Sequence, residues 1–278
     1  VFGLFNIHIN YAMDIPFTKA HGTGNDFIIL YSDDLKHIDL NPKIVKAIAQ
    51  RRTGIGADGL LLLSSHKSLD FKMDYYNKDG TWETMCANGA RCAVLYMYRR
   101  GLINKKCTFV TGDGDHRAQI LEDNVVKIKM NTPYFKTDLI DVEGFSGIHV
   151  DSGAKHFVVP VTDGLSSINV MRSGQKIRYS PCFKPNGINV NFFEKTLKNT
   201  IEVKTYEKGI ERPMLSCGSG SVASAFYASQ IYNMSSPINI KVPGGVLVVS
   251  FDSSWIDVWI EGKAVLLFDS TLDTNLLG

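Results

Sequence analysis

Two segments of this chain share a pattern that constrains the fold more than any other feature. In residues 77–90 and again in residues 207–220, a polar stretch leads into a cysteine, small residues follow, and an apolar-periodic segment begins. The two cysteines are Cys86 and Cys217. Apolar residues at three- and four-residue steps predict a helix. We therefore expect two helices, each with a cysteine at its N-terminus.

A cysteine in that position has a chemical consequence. The first turn of a helix has backbone N–H groups without partners, and the helix dipole makes that end positive. Such an end lowers the pKa of a thiol and can bind a carboxylate. Two facing ends would form one anion site between two thiols. This arrangement suits inversion of a carbon next to a carboxylate, because one thiolate removes the α-proton while the other thiol protonates the opposite face.

The composition narrows the class of protein. A chain of 278 residues with 44% hydrophobic and 21% charged residues is typical of a soluble globular protein of one large or two smaller domains. The net charge of +2, without a basic run carrying aromatic residues, argues against a nucleic-acid partner. No apolar run reaches the roughly 18 residues of a membrane span. The cysteines are odd in number and lack the spacing of a zinc site, which favours a reduced, cytoplasmic protein without a metal: Cys86, Cys92, Cys107, Cys182 and Cys217.

Two glycine-rich stretches precede apolar strands. Residues 21–26 predict a tight loop before a strand at 27–31. Residues 54–59 follow a predicted helix that Asn41 caps, and they precede a strand at 60–63. A dinucleotide-binding loop has the order strand, glycines, helix. The order here is helix, glycines, strand, so we reject nucleotide binding.

Short strands joined by turns rich in glycine, aspartate and asparagine fill most of the remaining chain. We predict an α/β fold of two similar lobes related by a pseudo-two-fold axis. The N-terminal lobe spans residues 13–128 and carries Cys86, and the C-terminal lobe spans 129–266 and carries Cys217. We expect residues 267–278 to return to the first lobe and residues 1–12 to be an extension.

Six motifs occur in one order along the chain: HGTGNDF at 21–27, GIGADG at 54–59, YNKDG at 76–80, MCANGARC at 85–92, TYEKG at 205–209 and SCGSG at 216–220. On these motifs the chain resembles the diaminopimelate epimerase family from about Phe17 to Phe268. That family consists of amino-acid racemases of lysine and cell-wall biosynthesis. The resemblance implies two α/β lobes, each a curled, mostly antiparallel sheet around a central helix, with the site in the cleft. It also implies a homodimer, and neither pyridoxal phosphate nor another cofactor.

The resemblance assigns a role to each matching position. Cys86 and Cys217 would be the acid–base pair, and His156 and Glu207 would orient or tune their thiols. Glu207, with Asn25 beside it, would also hold the α-ammonium group of an amino-acid substrate. The backbone N–H groups that would hold its α-carboxylate belong to Ala87, Asn88, Gly218 and Ser219. Contacts to its far end would come from Asn77, Asn189 and Lys208.

Four departures from the family pattern affect the substrate more than the reaction. Ala87 replaces a glycine, which a helical backbone tolerates. Ala154 and Lys155 replace an Asn-Pro or Ser-Pro pair and remove a polar contact. Lys208 replaces the arginine that grips the distal carboxylate, so the charge stays but the two-pronged geometry is lost. Residues 212–214 replace an acidic segment that contains threonine.

The sequence thus predicts cofactor-independent epimerisation of LL-diaminopimelate to meso-diaminopimelate. The alternative within the family is a racemase for another amino acid. A cysteine hydrolase would need one thiol, a histidine and an acyl intermediate, and would leave the second thiol without a role. A thiol–disulfide switch would need the oxidised pair for activity, whereas we regard such a bridge as an inactivating oxidation. A binding module would not need both thiols.

Overall fold

The computed structural model describes residues 14–35 and 40–273, so the predicted extension at residues 1–12 lies outside the described residues. The elements of the first half are β1 (Asp14–Gly22), β2 (Asn25–Tyr31), α1 (Pro42–Ala49), β3 (Gly59–Ser64), β4 (Phe71–Asn77), β5 (Trp82–Glu83), α2 (Ala87–Arg99), β6 (Lys106–Thr111), β7 (Gly114–Ile120) and β8 (Val125–Met130). Those of the second half are β9 (Tyr134–Phe135), β10 (Ile140–Val142), β11 (Phe145–Asp151), β12 (Lys155–Pro160), α3 (Val170–Arg178), β13 (Asn189–Leu197), β14 (Thr200–Glu207), β15 (Arg212–Met214), α4 (Gly218–Tyr232), β16 (Ile238–Val242), β17 (Gly245–Ser250) and β18 (Val258–Asp273).

The sheet of the first half closes on itself around α2. From β1 the pairing runs through β2, β3, β4, β6, β7 and β8 to β18, and β18 pairs with β1 again. The buried residues of α2 run from Ala87 to Met97, so nearly the whole helix lies inside this ring. A helix enclosed on all sides has little polar surface, which fits its mostly small and apolar residues; Asn88 and Arg91 are the buried polar exceptions.

The second half repeats this design with a more open sheet. Its strands follow the order β11, β12, β13, β14, β16, β17 and β18, with parallel pairing only for β12 with β13 and β14 with β16. α4 packs inside the curve, and its first three turns are almost entirely buried. The prediction of two α/β halves, each a curled sheet around a helix, is confirmed. Across residues 14–35 and 40–273, no helix is long and apolar enough to cross a lipid bilayer.

One strand, β18, belongs to both sheets. Its residues from Val258 to Lys263 pair with β8, and those from Ala264 to Asp273 pair with β1. The apolar stretches at 256–260 and 264–268 predict two separate short strands here. The structure corrects this to one strand, because Gly262 serves close packing instead of a turn: a Cβ atom there would lie 3.1 Å from Arg91 Nε. The exact lobe limits of 13–128 and 129–266 remain our interpretation.

The first glycine motif forms a hairpin turn. Thr23 and Gly24 have φ values of 53° and 84°, which is the pattern of a type I′ turn between β1 and β2. The predicted tight loop is therefore present. The strand before it, β1, was not predicted, because its apolar residues alternate over only part of its length.

Candidate active site

Cys86 and Cys217 occupy equivalent positions at the starts of α2 and α4. Each is the N-cap residue of its helix, with extended backbone angles of φ −137°, ψ 110° for Cys86 and φ −132°, ψ 115° for Cys217. The backbone N–H of Gly89 donates to Cys86 Sγ at 3.5 Å. Both helices predicted to carry an N-terminal cysteine are thus confirmed.

The two helix starts meet at one cavity. Asn88 Nδ2, in the first turn of α2, donates to the carbonyl oxygen of Ser216, the residue before Cys217, at 3.1 Å. Both cysteines line a cavity of about 410 Å³ that opens between the two sheets. Every site residue predicted from the sequence lines it except His156.

Burial controls the protonation of the thiols. Cys86 is half-buried and Cys217 is buried. Burial raises the pKa of Cys86 to about 11, although the N–H groups of Gly89 and Asn88 act in the opposite direction. Burial, and next the charge of Glu207, raise the pKa of Cys217 well above its ordinary value. The expectation of lowered thiol pKa values is therefore wrong for the thiols in this structure, because desolvation outweighs the helix N-terminus.

Glu207 lies beside Cys217 at the end of β14. Its Oε2 atom is buried and, among the described residues, has no hydrogen-bond partner. Burial raises the pKa of this carboxyl group to about 7, and a hydrogen bond with Cys217 opposes the shift. A carboxyl group with that pKa can accept or release a proton near neutral pH. An orphaned buried oxygen also fits a group that accepts from a ligand ammonium.

His156 lies behind the cavity instead of in it. The side chain is fully buried. Its Nδ1 lies 2.7 Å from Asn191 Oδ1 and its Nε2 lies 3.0 Å from Ser219 Oγ. Burial lowers the pKa of His156 to about 4, so the ring is neutral at physiological pH. Its path to Cys217 runs through Ser219, whose Oγ is 3.6 Å from Cys217 Sγ.

Asn25 joins the first glycine motif to the cysteine of α2. Its Oδ1 lies 3.9 Å from Cys86 Sγ, and its Nδ2 donates to Asp58 Oδ2 at 3.0 Å. Asp58, from the second glycine motif, also forms ion pairs with Arg51 at 3.2 Å and with Arg212 at 3.0 Å. Because Arg212 belongs to the other half of the chain, this carboxylate links the halves at the edge of the cavity.

A comparison with protein families matches residues 17–136 and 148–265 to the family described as diaminopimelate epimerase. The chain belongs to the diaminopimelate epimerase family. Curated relatives include the diaminopimelate epimerase of Flavobacterium psychrophilum, 36% identical over 91% of this chain and 98% of that protein. The diaminopimelate epimerase of Aquifex aeolicus is 35% identical over 95% of this chain and 99% of that protein.

Solved structures show that this fold extends beyond the diaminopimelate epimerase family. A probable proline racemase from Agrobacterium radiobacter superposes with a TM-score of 0.72 at 15% identity, over 93% of this chain and 92% of that one. A phenazine biosynthesis protein of the PhzF family from Bacillus anthracis gives a TM-score of 0.71 at 17% identity, over 94% of this chain and 99% of that one. At these identities the likeness concerns the fold alone.

Three of the positions at which the sequence predicts a departure from the diaminopimelate epimerase pattern line the cavity: Ala154, Lys155 and Lys208. Asn77 and Asn189, which the sequence predicts to contact the far end of a substrate, line the same cavity. Asn189 Oδ1 accepts from the backbone N–H of Lys208 at 2.8 Å, which fixes the start of that turn. Neither Lys155 nor Lys208 forms an ion pair with any residue that the structure describes. Two ammonium groups of the cavity lining are therefore available for an anionic group.

Arg91 belongs to the motif at residues 85–92, and the sequence predicts no role for it. It is fully buried, and its Nη2 donates to Asn88 Oδ1 at 2.8 Å and to Thr23 Oγ1 at 3.0 Å. No carboxylate within residues 14–35 and 40–273 pairs with it. Burial lowers its pKa to about 10, which leaves it charged. A charged residue inside an otherwise mostly apolar helix was the signal that could have identified it.

In the described part of the chain, no cluster of three His, Cys, Asp or Glu side chains could hold a metal ion.

Proposed function

We propose that this protein converts LL-diaminopimelate into meso-diaminopimelate without a cofactor, with Cys86 and Cys217 as its acid–base pair. One observation carries the proposal: two thiols cap two helices whose N-termini meet at a single cavity. Membership of the diaminopimelate epimerase family supports the substrate. The reaction would serve lysine and cell-wall precursor biosynthesis.

The cavity contains a complementary group for each polar group on the α-carbon of the substrate. Backbone N–H groups in the first turns of α2 and α4 hold the α-carboxylate, in the way helix N-termini bind anions: Ala87, Asn88, Gly218 and Ser219. The carboxylate of Glu207 and the Oδ1 atom of Asn25 accept from the α-ammonium. The α-carbon then lies between the two sulfur atoms.

The reaction exchanges one C–H bond for another on the opposite face. The thiolate of one cysteine removes the α-proton, so that a C–H bond breaks and an S–H bond forms. The other cysteine gives its thiol proton to the opposite face, so that an S–H bond breaks and a C–H bond forms. Negative charge moves into the α-carboxylate between these steps, where the N–H groups of both helices stabilise it.

Burial of the thiols means that the thiolate must form by local proton transfer. With the pKa of Cys86 near 11, only a small fraction of it ionises at neutral pH. Glu207 lies next to Cys217 and has a pKa of about 7, so it is a proton acceptor within reach. The α-ammonium of the substrate adds positive charge at the same place and favours the thiolate further.

The residues expected to contact the substrate's side chain favour a second candidate substrate within the same reaction class. Ala154 and Lys155 give the cavity a smaller and more basic lining than the family pattern, and Lys208 lacks the fork of an arginine. A racemase for a different amino acid with an anionic side chain would fit these residues as well.

Deuterium exchange at the α-carbon separates the two candidates. The protein is incubated in deuterated water with LL-diaminopimelate, meso-diaminopimelate and a panel of single amino acids that includes glutamate and aspartate. We expect exchange and interconversion of the diaminopimelate isomers. Exchange of another amino acid without diaminopimelate would support the alternative, and trapping of an acyl-enzyme would reject both.

We further propose that the protein is a cytoplasmic homodimer. Its cysteines are free, as in a reducing compartment. Leu267 and Phe268 of β18 are 50% and 53% exposed, which leaves apolar surface for a second copy of the chain. Sedimentation analysis of the wild type and of Phe268→Glu tests the dimer; a monomeric wild type would reject it.

A further inference from the structure

We propose that Arg91 and Asp58 are positioning residues that turn the side-chain oxygen of Asn25 towards Cys86. The side-chain amides of Asn88 and Asn25 form a hydrogen-bonded chain between them. Arg91 Nη2 donates to Asn88 Oδ1 at 2.8 Å. Asn88 Nδ2 donates to Asn25 Oδ1 at 3.3 Å, and Asn25 Nδ2 donates to Asp58 Oδ2 at 3.0 Å. This proposal rests on the proposed function only for the contact between Asn25 and a substrate ammonium group.

The two ends of this chain determine the orientation of both amides. A guanidinium group can only donate, so the atom of Asn88 that faces Arg91 is its oxygen. The NH2 group of Asn88 also donates to the carbonyl oxygen of Ser216 at 3.1 Å, and that oxygen can only accept. A carboxylate can only accept, so the atom of Asn25 that faces Asp58 is its nitrogen. Both ends therefore require the oxygen of Asn25 to face the NH2 group of Asn88.

The surrounding residues hold Arg91 at one end of the chain. Its side chain is fully buried, with Nη1 donating to the carbonyl oxygen of Ala87 at 3.3 Å and Nη2 donating to Thr23 Oγ1 at 3.0 Å. A Cβ atom on Gly262 would lie 3.1 Å from Arg91 Nε, so a residue without a side chain makes room for the guanidinium group. Both amide oxygens point towards this cation and both NH2 groups towards the carboxylate of Asp58, so the two amide dipoles reinforce each other.

Two arginines hold Asp58 at the other end of the chain. Arg51 and Arg212 both donate to Asp58 Oδ1, at 3.2 Å and 3.0 Å. The backbone N–H of Asp58 donates to the carbonyl oxygen of Asp26 at 3.0 Å, and the residue is buried. Because the arginines occupy Oδ1, the Oδ2 atom is left for Asn25.

The orientation of Asn25 decides which group Cys86 faces before substrate binds. The Cys86 thiol donates to Asn25 Oδ1 at 3.9 Å. A carbonyl oxygen accepts from a thiol and cannot donate to a thiolate, so it favours the protonated form. A substrate ammonium group has three N–H donors and can take this oxygen from the thiol. We therefore expect substrate binding to release the Cys86 thiol for ionisation.

The variant Asp58→Asn should reverse the orientation of Asn25. Because Arg51 and Arg212 both donate at the Oδ1 position, the oxygen of the introduced amide occupies that position and its NH2 group replaces Oδ2. Asn25 must then turn its oxygen towards position 58 and its own NH2 group towards Cys86. A donor beside a thiolate stabilises it, so the pKa of Cys86 should fall.

Alkylation of the thiols measures this effect without any substrate. The full-length protein is treated with iodoacetamide over a series of pH values, and peptide mass spectrometry follows each cysteine, with exposed Cys182 as the internal reference. In Asp58→Asn we expect the midpoint of the pH–rate curve for Cys86 to lie about one pH unit lower than in the wild type. A loosened structure would speed alkylation at every pH and leave the midpoint in place.

The same variant should weaken substrate binding in turnover. The NH2 group that Asn25 then presents repels the α-ammonium group, in the ground state and in the transition state alike. We expect the KM of Asp58→Asn for diaminopimelate to rise about tenfold and kcat to change less than about threefold.

The double variant Asn25→Asp with Asp58→Asn should restore the original arrangement. The NH2 group at position 58 then donates to one carboxylate oxygen at position 25, and the other oxygen faces Cys86 and Asn88. We expect KM to return to within about threefold of the wild type. The alkylation midpoint of Cys86 should return to the wild-type value or above it, because a negative charge lies beside the thiol. A double variant with the KM and the midpoint of Asp58→Asn alone would overturn the proposal.

The variant Arg212→Met is the matched control for Asp58→Asn. It removes an ion pair of Asp58 Oδ1, while Arg51 stays on that oxygen and Asn25 stays on Oδ2. It should leave the midpoint unchanged and KM within about twofold of the wild type. If Arg212→Met moves the midpoint as far as Asp58→Asn does, the ion pair and not the orientation of Asn25 controls the thiol, and the proposal fails.

Neutron diffraction from wild-type crystals in deuterated buffer tests the orientation without any variant, because it locates the hydrogen positions that X-rays leave unseen. Deuterium on the atom of Asn25 that faces Asp58 would support the proposal, and deuterium on the atom that faces Cys86 would overturn it. If wild-type protein exchanges no diaminopimelate, the proposed substrate fails, whereas the neutron and alkylation results still decide the orientation.

Discussion

The Cβ atom of Ala87 lies 2.7 Å from the point that a Cβ atom on Gly218 would occupy. These residues are the first helical positions of α2 and α4, so the two cysteine-bearing helices touch where they begin. Neither residue has a positive φ value. Position 218 therefore needs glycine because a side chain there would collide with Ala87, and not because of its backbone conformation. The methyl group that this chain carries at position 87 makes that requirement stricter.

Gly218→Ala should separate the two helix starts and misplace both thiols. We expect a loss of about 1–3 kcal/mol in the free energy of unfolding, which is usual for overpacking. Activity should fall about 100-fold, because small displacements of catalytic groups cost that much. Urea denaturation and epimerase assays measure the two effects.

The double variant Ala87→Gly with Gly218→Ala is the control for Gly218→Ala. It moves the single methyl group from one helix to the other and should recover most of the lost stability. Additive losses in the double variant would mean that the two residues do not contact each other in solution.

The parts of the fold that follow from local chemistry were predictable from the sequence. Asn41 accepts from the backbone N–H groups of Lys43 and Ile44, as expected of the N-cap of α1. Both cysteine-headed helices were also predicted, because a periodic apolar segment follows each cap. Helix α3 was missed. Its Gly174 weakens the helical pattern, and only the structure shows the reason: a Cβ atom there would lie 2.4 Å from Tyr206 Cβ.

As with the fold, the sequence predicted only those residues of the candidate site that belong to continuous motifs. Residues in continuous motifs, such as Cys86 and Asn88, line the cavity as expected. Asn191, whose Oδ1 lies 2.7 Å from His156 Nδ1, was missed because it lies behind the cavity, and Arg91 was missed because its partners come from distant parts of the chain. The thiol pKa values were predicted in the wrong direction, since burial depends on the enclosing sheets and not on the helix that carries the cysteine.

Glu207 and His156 should make the free energy of unfolding depend on pH in opposite directions. The pKa of Glu207 is raised to about 7 from 4.5, so folding favours its protonated form and stability is lost as the pH rises through this interval. The pKa of His156 is lowered to about 4 from 6.5, so stability is lost as the pH falls through that interval. In the wild type the two effects partly cancel.

Glu207→Gln should reveal how much Glu207 contributes to the pH dependence of the free energy of unfolding. We expect the variant to be more stable than the wild type by on the order of 2 kcal/mol at about pH 8, because an ionised buried carboxylate has been removed. Near pH 5 the difference should become small. Denaturation curves at both pH values measure it; a variant that is no more stable than wild type at the higher pH would show that Glu207 ionises freely.

Cys86→Ser and Cys217→Ser should each strongly slow epimerisation and leave proton abstraction by the remaining cysteine intact. A hydroxyl is too weak an acid or base to replace the thiol, so we expect losses of about 10²–10⁴-fold. Each variant should still eliminate fluoride from one isomer of a β-fluoro analogue of diaminopimelate. Cys182→Ser, at an exposed cysteine outside the cavity, should behave as wild type. Epimerisation at the wild-type rate by both variants would refute the assigned pair.

Lys208→Met should weaken binding of diaminopimelate without changing the chemistry. Lys208 lines the cavity and forms no ion pair with a described residue, so its ammonium group is available for a distal carboxylate. Loss of an interaction present in both ground and transition states raises KM and leaves kcat almost unchanged. We expect KM to rise about tenfold in Lys208→Met and to fall below wild type in Lys208→Arg, because arginine restores the bidentate grip. Lys155→Met is the matched comparison, because Lys155 lines the same cavity. If Lys155→Met raises KM and Lys208→Met does not, the distal carboxylate binds Lys155 and not Lys208.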